Sequence, residues 1–334
     1  MERHEHLDDW LRSNLSDRSF EFEPASADAS FRRYFRITLS GTDETLVVMD
    51  APPAHEDCRP WLNVAQLFRA AGVHVPEVIA HDVAQGFILM SDLGDTTYLA
   101  ALDRGNAASL YADALGSLIA IQQASVSGAL PDYSHDLLLR EMRLFEEWYV
   151  ARHKNVVLDE TQRASLDTVL ERILAVNLAE PRVFVHRDYH SRNLMLQTTG
   201  TNPGIIDFQD AVFGPISYDL VSLLKDAYVH WEEDFTLDLL IRYWDAARKL
   251  GLPVRAEFAE FHRDFEWMGV QRHLKVLGIF ARLYHRDGKA GYLDDLPLVM
   301  DHLRRTCARY VDLKPLLRLL DAIEPKPVTV GYTF

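Results

Sequence analysis

Val183-Phe184-Val185-His186-Arg187-Asp188-Tyr189-His190-Ser191-Arg192-Asn193-Leu194-Met195-Leu196, followed after a turn by Ile205-Ile206-Asp207-Phe208-Gln209-Asp210, is the stretch on which the reading of this 334-residue chain depends. Apolar runs at 183–185, 194–196 and 205–206 flank two polar loops, and Thr199-Gly200-Thr201-Asn202-Pro203-Gly204 has turn chemistry. The pattern predicts strand, polar loop, strand, turn, strand, acidic loop, with Asp188, Asn193 and Asp207 held at one mouth. Asp188 suits accepting the proton of a hydroxyl and orienting it. Asn193 and Asp207 bring hard oxygen donors, the kind that hold Mg²⁺ on nucleotide phosphates. Phosphoryl transfer needs this combination, because its transition state requires positioning and charge neutralisation more than covalent help. His186 and His190 flank Asp188, and no third His or Cys sits nearby to make them a zinc site.

On the N-terminal side of this stretch the texture is β-rich. Trp10, Leu11 and Leu15 are spaced for a short helix over 8–15, and strands are expected at 20–23, 34–39, 46–49, 77–80 and 86–90. Gly41-Thr42-Asp43 reads as a hairpin turn, and a helix over 59–71 stops at Gly72. Ser91-Asp92-Leu93-Gly94 is a natural linker. Beyond it, long helical patterns run over 106–124, 135–152, 160–176, 217–226, 231–249, 256–285 and 294–322. The predicted class is α+β, with a small antiparallel β lobe (1–93) and a large, mainly helical lobe (94–334) carrying the loops at 183–210.

Bulk properties narrow the function classes. The composition, 48% hydrophobic and 25% charged, is that of a soluble globular protein. No run approaches the roughly 20 apolar residues of a membrane span, and the N-terminus lacks the pattern of a signal peptide. Cys58 and Cys307 allow at most one bridge, and two reduced thiols are the expectation in a cytoplasmic protein. A net charge of −15 argues against a nucleic-acid partner.

His-Arg-Asp-x-x-x-x-Asn followed by Asp-Phe resembles the catalytic and metal loops of protein kinases. His190, standing two residues after Asp188 where protein kinases carry Lys, makes the run more similar to the aminoglycoside phosphotransferase and choline kinase superfamily. Asp219, in Pro215-Ile216-Ser217-Tyr218-Asp219-Leu220, matches that superfamily's pattern as well. The resemblance implies a protein-kinase-like two-lobed fold and an ATP- and Mg²⁺-dependent kinase of a small molecule. Asp188 would be its base, Asn193 and Asp207 its metal ligands, and Met90, Ser91, Asp92 and Leu93 its adenine-contacting hinge. His186 would prop the loop, and Asp219 would anchor the loop backbone.

Residues 27–36, 48–53 and 271–280 resemble, more narrowly, the bacterial anomeric kinases of N-acetylmuramate and N-acetylglucosamine. Those enzymes phosphorylate the C1 hydroxyl of the sugar in peptidoglycan recycling. A kinase of an aminoglycoside or choline-like amine, and a nucleotide-binding pseudokinase, are the alternatives.

Two kinase features are missing. Met49 stands where the third-strand Lys is expected, and Asn63 near the position of its Glu partner. The phosphate loop lacks glycine: Ala25 to Ser30 has only small residues among its non-acidic positions, apart from the run into Phe31-Arg32-Arg33-Tyr34. Ser30, Phe31, Arg32 and Arg33 are the candidate nucleotide contacts. Strand alternation sends the two arginines to opposite faces, so one of them is expected to supply the missing positive charge.

For the acceptor, Val270–Ala290 carries five basic residues against one acidic. Arg272, Lys275 and Arg282 share a helix face by their spacing and would suit the carboxylate of N-acetylmuramate, or simply form a solvated face. Asp210 is a further candidate near the acceptor, or a helix cap. Trp148, Tyr149, Trp231, Trp244 and Trp267 are candidates for stacking on a sugar ring, or for core packing.

Overall fold

The computed structural model describes residues 2–15, 18–26, 31–198 and 200–324. Its elements, in order, are α1 (Glu2–Asn14), β1 (Phe20–Ser26), β2 (Arg33–Leu39), β3 (Thr45–Asp50), α2 (Arg59–Ala70), β4 (Val78–Asp82), β5 (Phe87–Ser91), α3 (Tyr98–Ala101), α4 (Ala107–Gln123) and α5 (His135–Leu144). There follow α6 (Glu160–Leu178), β6 (Arg182–Val185), β7 (Leu194–Met195), β8 (Gly204–Ile205), β9 (Val212–Pro215), α7 (Tyr218–Leu224), α8 (Glu233–Lys249), α9 (Phe258–Asp287), α10 (Leu296–Arg309) and α11 (Lys314–Ile323). The α+β expectation holds: one antiparallel five-stranded sheet and a large helical part.

The chain folds into two compact units, 1–124 with 192–211, and 125–191 with 212–334. This division differs from a single boundary at 93/94. Helix α4 and the segment 192–211 pack with the sheet because the segment is stitched to that unit. Asn202 Nδ2 donates to Tyr98 Oη (2.8 Å) and to Asp113 (2.8 Å), and Ile205 N–H donates to the His74 carbonyl (2.7 Å). The chain therefore passes from one unit to the other between Ser191 and Arg192, inside the predicted catalytic loop.

In the first unit the sheet order is β1-β2-β3-β5-β4, all neighbours antiparallel. Alternation buries Phe35, Ile37 and Leu39 of β2 and Leu46 and Val48 of β3 in one core with Leu7 and Leu11 of α1 and Leu15 just after it. Helix α1 begins earlier than the Trp10-centred pattern indicated, since Leu7, one turn back, shares its buried stripe. Gly41, with φ 81°, closes the β2–β3 hairpin as expected.

In the second unit α9 is the axis, packing against α5, α6, α7 and α10. It approaches so closely that a Cβ on Gly278 would sit 2.3 Å from the backbone carbon of Leu144, at the end of α5. The expected single helix over 135–152 is α5 followed by a π-helical stretch, Phe145–His153. The pattern at 294–322 breaks into α10, a 3₁₀ turn at Val311–Leu313 and α11, where Pro315 opens a new first turn. Strand β9, absent from the sequence reading, pairs with β6.

No helix among the described residues is long and apolar enough to cross a membrane. Cys58 and Cys307 are both free and buried.

Candidate active site

The predicted metal loop lies in the first unit. The short β7–β8 pair places Asn193 and Asp207 on neighbouring strand ends, and Ile206 N–H donates to the Asn193 carbonyl (3.1 Å). Asn193 Nδ2 stands 3.4 Å from Asp207 Oδ2, and Gln209 Nε2 donates to Asp207 Oδ1 (2.8 Å). Asp207 has φ 62°, a left-handed backbone that Asp tolerates better than most residues. What holds it there is Phe208, fully buried against Trp61 (5.1 Å) and Phe68 (5.8 Å) of α2. An amide and a carboxylate this close, both hard donors, fit Mg²⁺, which takes few protein ligands and completes its shell with phosphate and water.

Arg32, just before β2, and Arg33, its first residue, part company. Arg33 pairs with Asp50, a fully buried carboxylate that also accepts from Arg3 Nε (2.8 Å). Arg32 instead stands 3.6 Å from Glu56. Burial works against its charge, yet Tyr34, Glu56, Asp207 and Asp210 together raise its pKa. Arg32 is thus the one directed to the metal loop. Phe31 is 62% exposed and stacks on His55 (4.5 Å, 16°). Ser30 lies outside the described residues. Asp210 is exposed beside Gln209 and precedes β9, so it caps no helix.

The predicted hinge is held in a defined path. Met90 is buried in β5; Ser91 Oγ accepts from Glu77 N–H (2.8 Å). Asp92 takes a bidentate grip from Arg36 (2.6 and 3.1 Å), and the Leu93 carbonyl accepts from Gln197 Nε2 (2.8 Å).

The predicted catalytic loop, up to Ser191, lies in the second unit. Asp219, buried in the first turn of α7, accepts from the backbone N–H of His186 (2.7 Å) and Arg187 (3.0 Å). Burial pushes its carboxyl up to about 7, against those two donors. His186 is fully buried, and its Nδ1 accepts from Asp188 N–H (3.2 Å). That bond fixes the turn between His186 and Asp188. Arg187 has φ 78°, and its carbonyl accepts from Arg272 Nη1 (2.8 Å). His190 N–H donates to the Asp188 carbonyl (3.1 Å), and its ring meets Tyr228 edge-on.

Asp188 keeps 37% of its side chain exposed, so a hydroxyl can reach it. Its surroundings would by themselves raise its pKa. The positive charges of Lys275 and Arg272, with His190 and Arg187, outweigh this and hold the carboxyl well below the usual range.

Arg272 and Lys275 therefore have a different place from the open, substrate-reading face expected of them. Both are 5% exposed. Arg272 Nη1 lies 3.9 Å from Asp188 and 3.3 Å from Tyr218 Oη; Lys275 Nζ lies 3.0 Å from Tyr218 Oη and 3.3 Å from Glu141. Their charge is committed to the loop. Arg282, ten residues or about 15 Å further along α9 than Arg272, sits instead in the field of Arg286, Asp287 and Glu147, where burial lowers its pKa.

The centre of this network is Glu141, which no motif indicated. It receives Arg187, Lys275, the Tyr133 hydroxyl and Gln271 Nε2 (3.2 Å). Burial opposes its charge, but Lys275 and Arg187 hold its carboxyl low. One signal existed: Leu138, Glu141, Met142 and Phe145 form an i, i+3, i+4, i+7 stripe, which puts Glu141 on a buried face. The tryptophans considered for stacking have other partners: Trp267 is buried, Trp244 Nε1 donates to the Arg255 carbonyl (2.9 Å), Trp231 packs on Phe235 and Trp148 lies under the Arg152 guanidinium (5.1 Å). Tyr149 is likewise buried, its hydroxyl on Glu324 (2.7 Å).

A protein 48% identical over 339 residues, covering 100% of both chains, is the N-acetylmuramate/N-acetylglucosamine kinase of Neisseria meningitidis serogroup B. The Pseudomonas aeruginosa protein of the same name is 50% identical over 303 residues, 91% of this chain and 88% of that one. Among solved structures, choline kinase LicA of Streptococcus pneumoniae matches with a TM-score of 0.62 at 12% identity, covering 91% of this chain and 100% of that one. A putative aminoglycoside phosphotransferase of Ralstonia eutropha matches at 0.61 and 15%, over 91% and 98%. The family model for the phosphotransferase enzyme family, APH, matches residues 21–261, and the chain belongs to that family.

Proposed function

We propose that this chain is an ATP- and Mg²⁺-dependent kinase that phosphorylates the anomeric C1 hydroxyl of N-acetylmuramate and N-acetylglucosamine, in the cytoplasm, as a step of peptidoglycan recycling. The choice of sugar rests on the full-length similarity to proteins that bear that name. The chemistry rests on one observation: Asp188, accessible yet kept ionised by Arg272 and Lys275.

So weakly basic a carboxylate suits this reaction. In a loose phosphoryl-transfer transition state the attacking oxygen has formed little of its new bond, so proton removal comes late. An anomeric hydroxyl is also more acidic than an ordinary alcohol. Asp188 accepts the hydrogen bond of the C1 hydroxyl, aims its lone pair, and takes the proton as the oxygen–phosphorus bond forms and ADP leaves. His186, Asp219 and the Arg187 carbonyl's grip by Arg272 fix that aim.

Asn193 and Asp207 would hold the Mg²⁺, which when bound neutralises phosphate charge. Arg32 brings positive charge to the phosphates in place of the strand lysine, with Phe31 beside it in the chain, and Met90 to Leu93 take the adenine.

A coupled ADP-release assay with Mg·ATP against N-acetylmuramate, N-acetylglucosamine, choline and kanamycin tests the reading. Turnover of the two amino sugars to an acid-labile 1-phosphate is the expected result. Turnover of an amine alone overturns the substrate, and silence on all four overturns the kinase reading in favour of a nucleotide-binding scaffold.

A further inference from the structure

With the tryptophans and Tyr149 engaged elsewhere, a different group of aromatic rings remains at the catalytic loop. His190, two residues after Asp188, meets Tyr228 with ring centroids 5.4 Å apart at 71°. Tyr228 packs on Phe280 (5.9 Å), and Phe280 on Tyr292 (5.1 Å). Phe280 is buried, whereas Tyr228 and Tyr292 are half-buried and keep part of their surface open.

The placement of Tyr228 is built in. Asp226, 2% exposed, accepts with Oδ2 from Ser191 N–H (3.0 Å) and with Oδ1 from Tyr228 N–H (3.1 Å). One buried carboxylate thus ties the catalytic loop and the Tyr228 backbone to a common point. A ring so fixed, with an apolar body and a polar tip, loses little freedom when a ligand settles on it.

A pyranose has a face of C–H groups and a rim of hydroxyls, and needs an apolar surface with polar groups at its edge. We infer that Tyr228, backed by Phe280 and continued by Tyr292, is the wall on which the acceptor ring rests while its C1 hydroxyl meets Asp188. This rests on the amino-sugar reading above and adds the residue that grips the ring. His190 closes the end of the wall nearest the reacting oxygen.

The test is steady-state kinetics of wild type, Tyr228→Ala, Tyr228→Leu and Tyr228→Phe, with KM measured separately for ATP and for N-acetylglucosamine. Loss of the ring in Tyr228→Ala raises the sugar KM on the order of tenfold, with the ATP KM unchanged. Tyr228→Phe, which keeps the face, stays within about threefold of wild type. Should the alanine variant fail to fold, Tyr228→Leu, which keeps the bulk without the flat ring, is expected to show the same sugar-specific rise. A sugar KM that does not move in the folded variants, or an ATP KM that rises in parallel with it, overturns the wall while leaving the kinase reading intact. A wild type silent on both sugars overturns the two together.

Discussion

Replacing Arg272 with Gln separates two roles for that residue: holding Asp188 or reading a substrate carboxylate. At 3.9 Å, a unit charge pair is worth about 4 kcal/mol at an effective dielectric constant near 20. Asp188 is 37% exposed, and solvent screening reduces this to about half, or roughly 1.5 pKa units. The Asp188 carboxyl, now held low, is expected to rise by about that much in Arg272→Gln. A carboxyl held below its unfolded value contributes stability above that value and loses it as the pH falls through the folded one. The variant should therefore be less stable than wild type at neutral pH, and its further loss to acid, which sets in at the same unfolded value, should be smaller and complete at a higher pH.

The second consequence is geometric. Arg272 also holds the carbonyl of Arg187 (2.8 Å), whose left-handed backbone (φ 78°) costs about 1–2 kcal/mol and persists because both its ends are gripped. Releasing one grip lets the loop relax, and kcat should fall on the order of 10- to 100-fold. The assay is sugar-dependent ADP release at neutral pH, with KM values for ATP and both sugars, alongside thermal unfolding between neutral and acid pH. If kcat and the acid response both match wild type while only the N-acetylmuramate KM rises, Arg272 reads the lactyl carboxylate and the loop-holding argument is refuted.

Other expectations are more direct. Asp207→Asn is expected to raise the Mg²⁺ concentration needed for half-maximal turnover at least tenfold, whereas Asp210→Asn, at an exposed carboxylate only 3.5 Å from Gln209 Nε2, should leave it near wild type in the same Mg²⁺ titration. Arg32→Ala should raise the ATP KM on the order of tenfold with little change in unfolding temperature. Arg33→Ala, which strips one partner from buried Asp50, should do the reverse in paired kinetic and melting measurements. Glu180, buried and pushed up to about 8, keeps its proton in the folded state. Stability is then fullest below the unfolded glutamate value and drains away as pH rises through about 8, and Glu180→Gln should flatten that slope in a pH series of thermal melts.

What could be read beforehand was whatever has local grammar. Strand alternation, the hairpin at Gly41 and the spacing from Asp188 to Asn193 to Asp207 are short-range, so the sheet and the loops were legible. Helix ends were less so: the single pattern at 135–152 hides a π-helical stretch that the apolar spacing does not signal. The support of Asp188 was hardest to see, because Glu141, Asp219, Arg272 and Lys275 lie up to 134 residues apart and meet only in the folded unit. A +4 run on α9 looks the same in sequence whether it faces water, substrate or a buried carboxylate. In the fold Arg272 and Lys275 of that run stand against Asp188 and Glu141, whereas Arg286 pairs with Asp287.

The displaced lysine follows the same logic of surroundings. Met49 is fully buried in β3, and its neighbour Asp50, on the opposite face, is bound by Arg3 and Arg33. A lysine at 49 would have to carry its charge into that apolar interior, where desolvation favours the neutral amine. Arg32 enters instead from the chain just before β2, within reach of Glu56 and in the field of Asp207 and Asp210. It is largely buried there, and a guanidinium stays charged under burial that would tempt an ammonium to deprotonate. Three carboxylates around one fixed positive charge leave a local excess of negative charge, which suits a divalent cation. The positive charge that kinases place on the third strand is thus better carried here by an arginine just before the second, because only an arginine keeps it unconditionally.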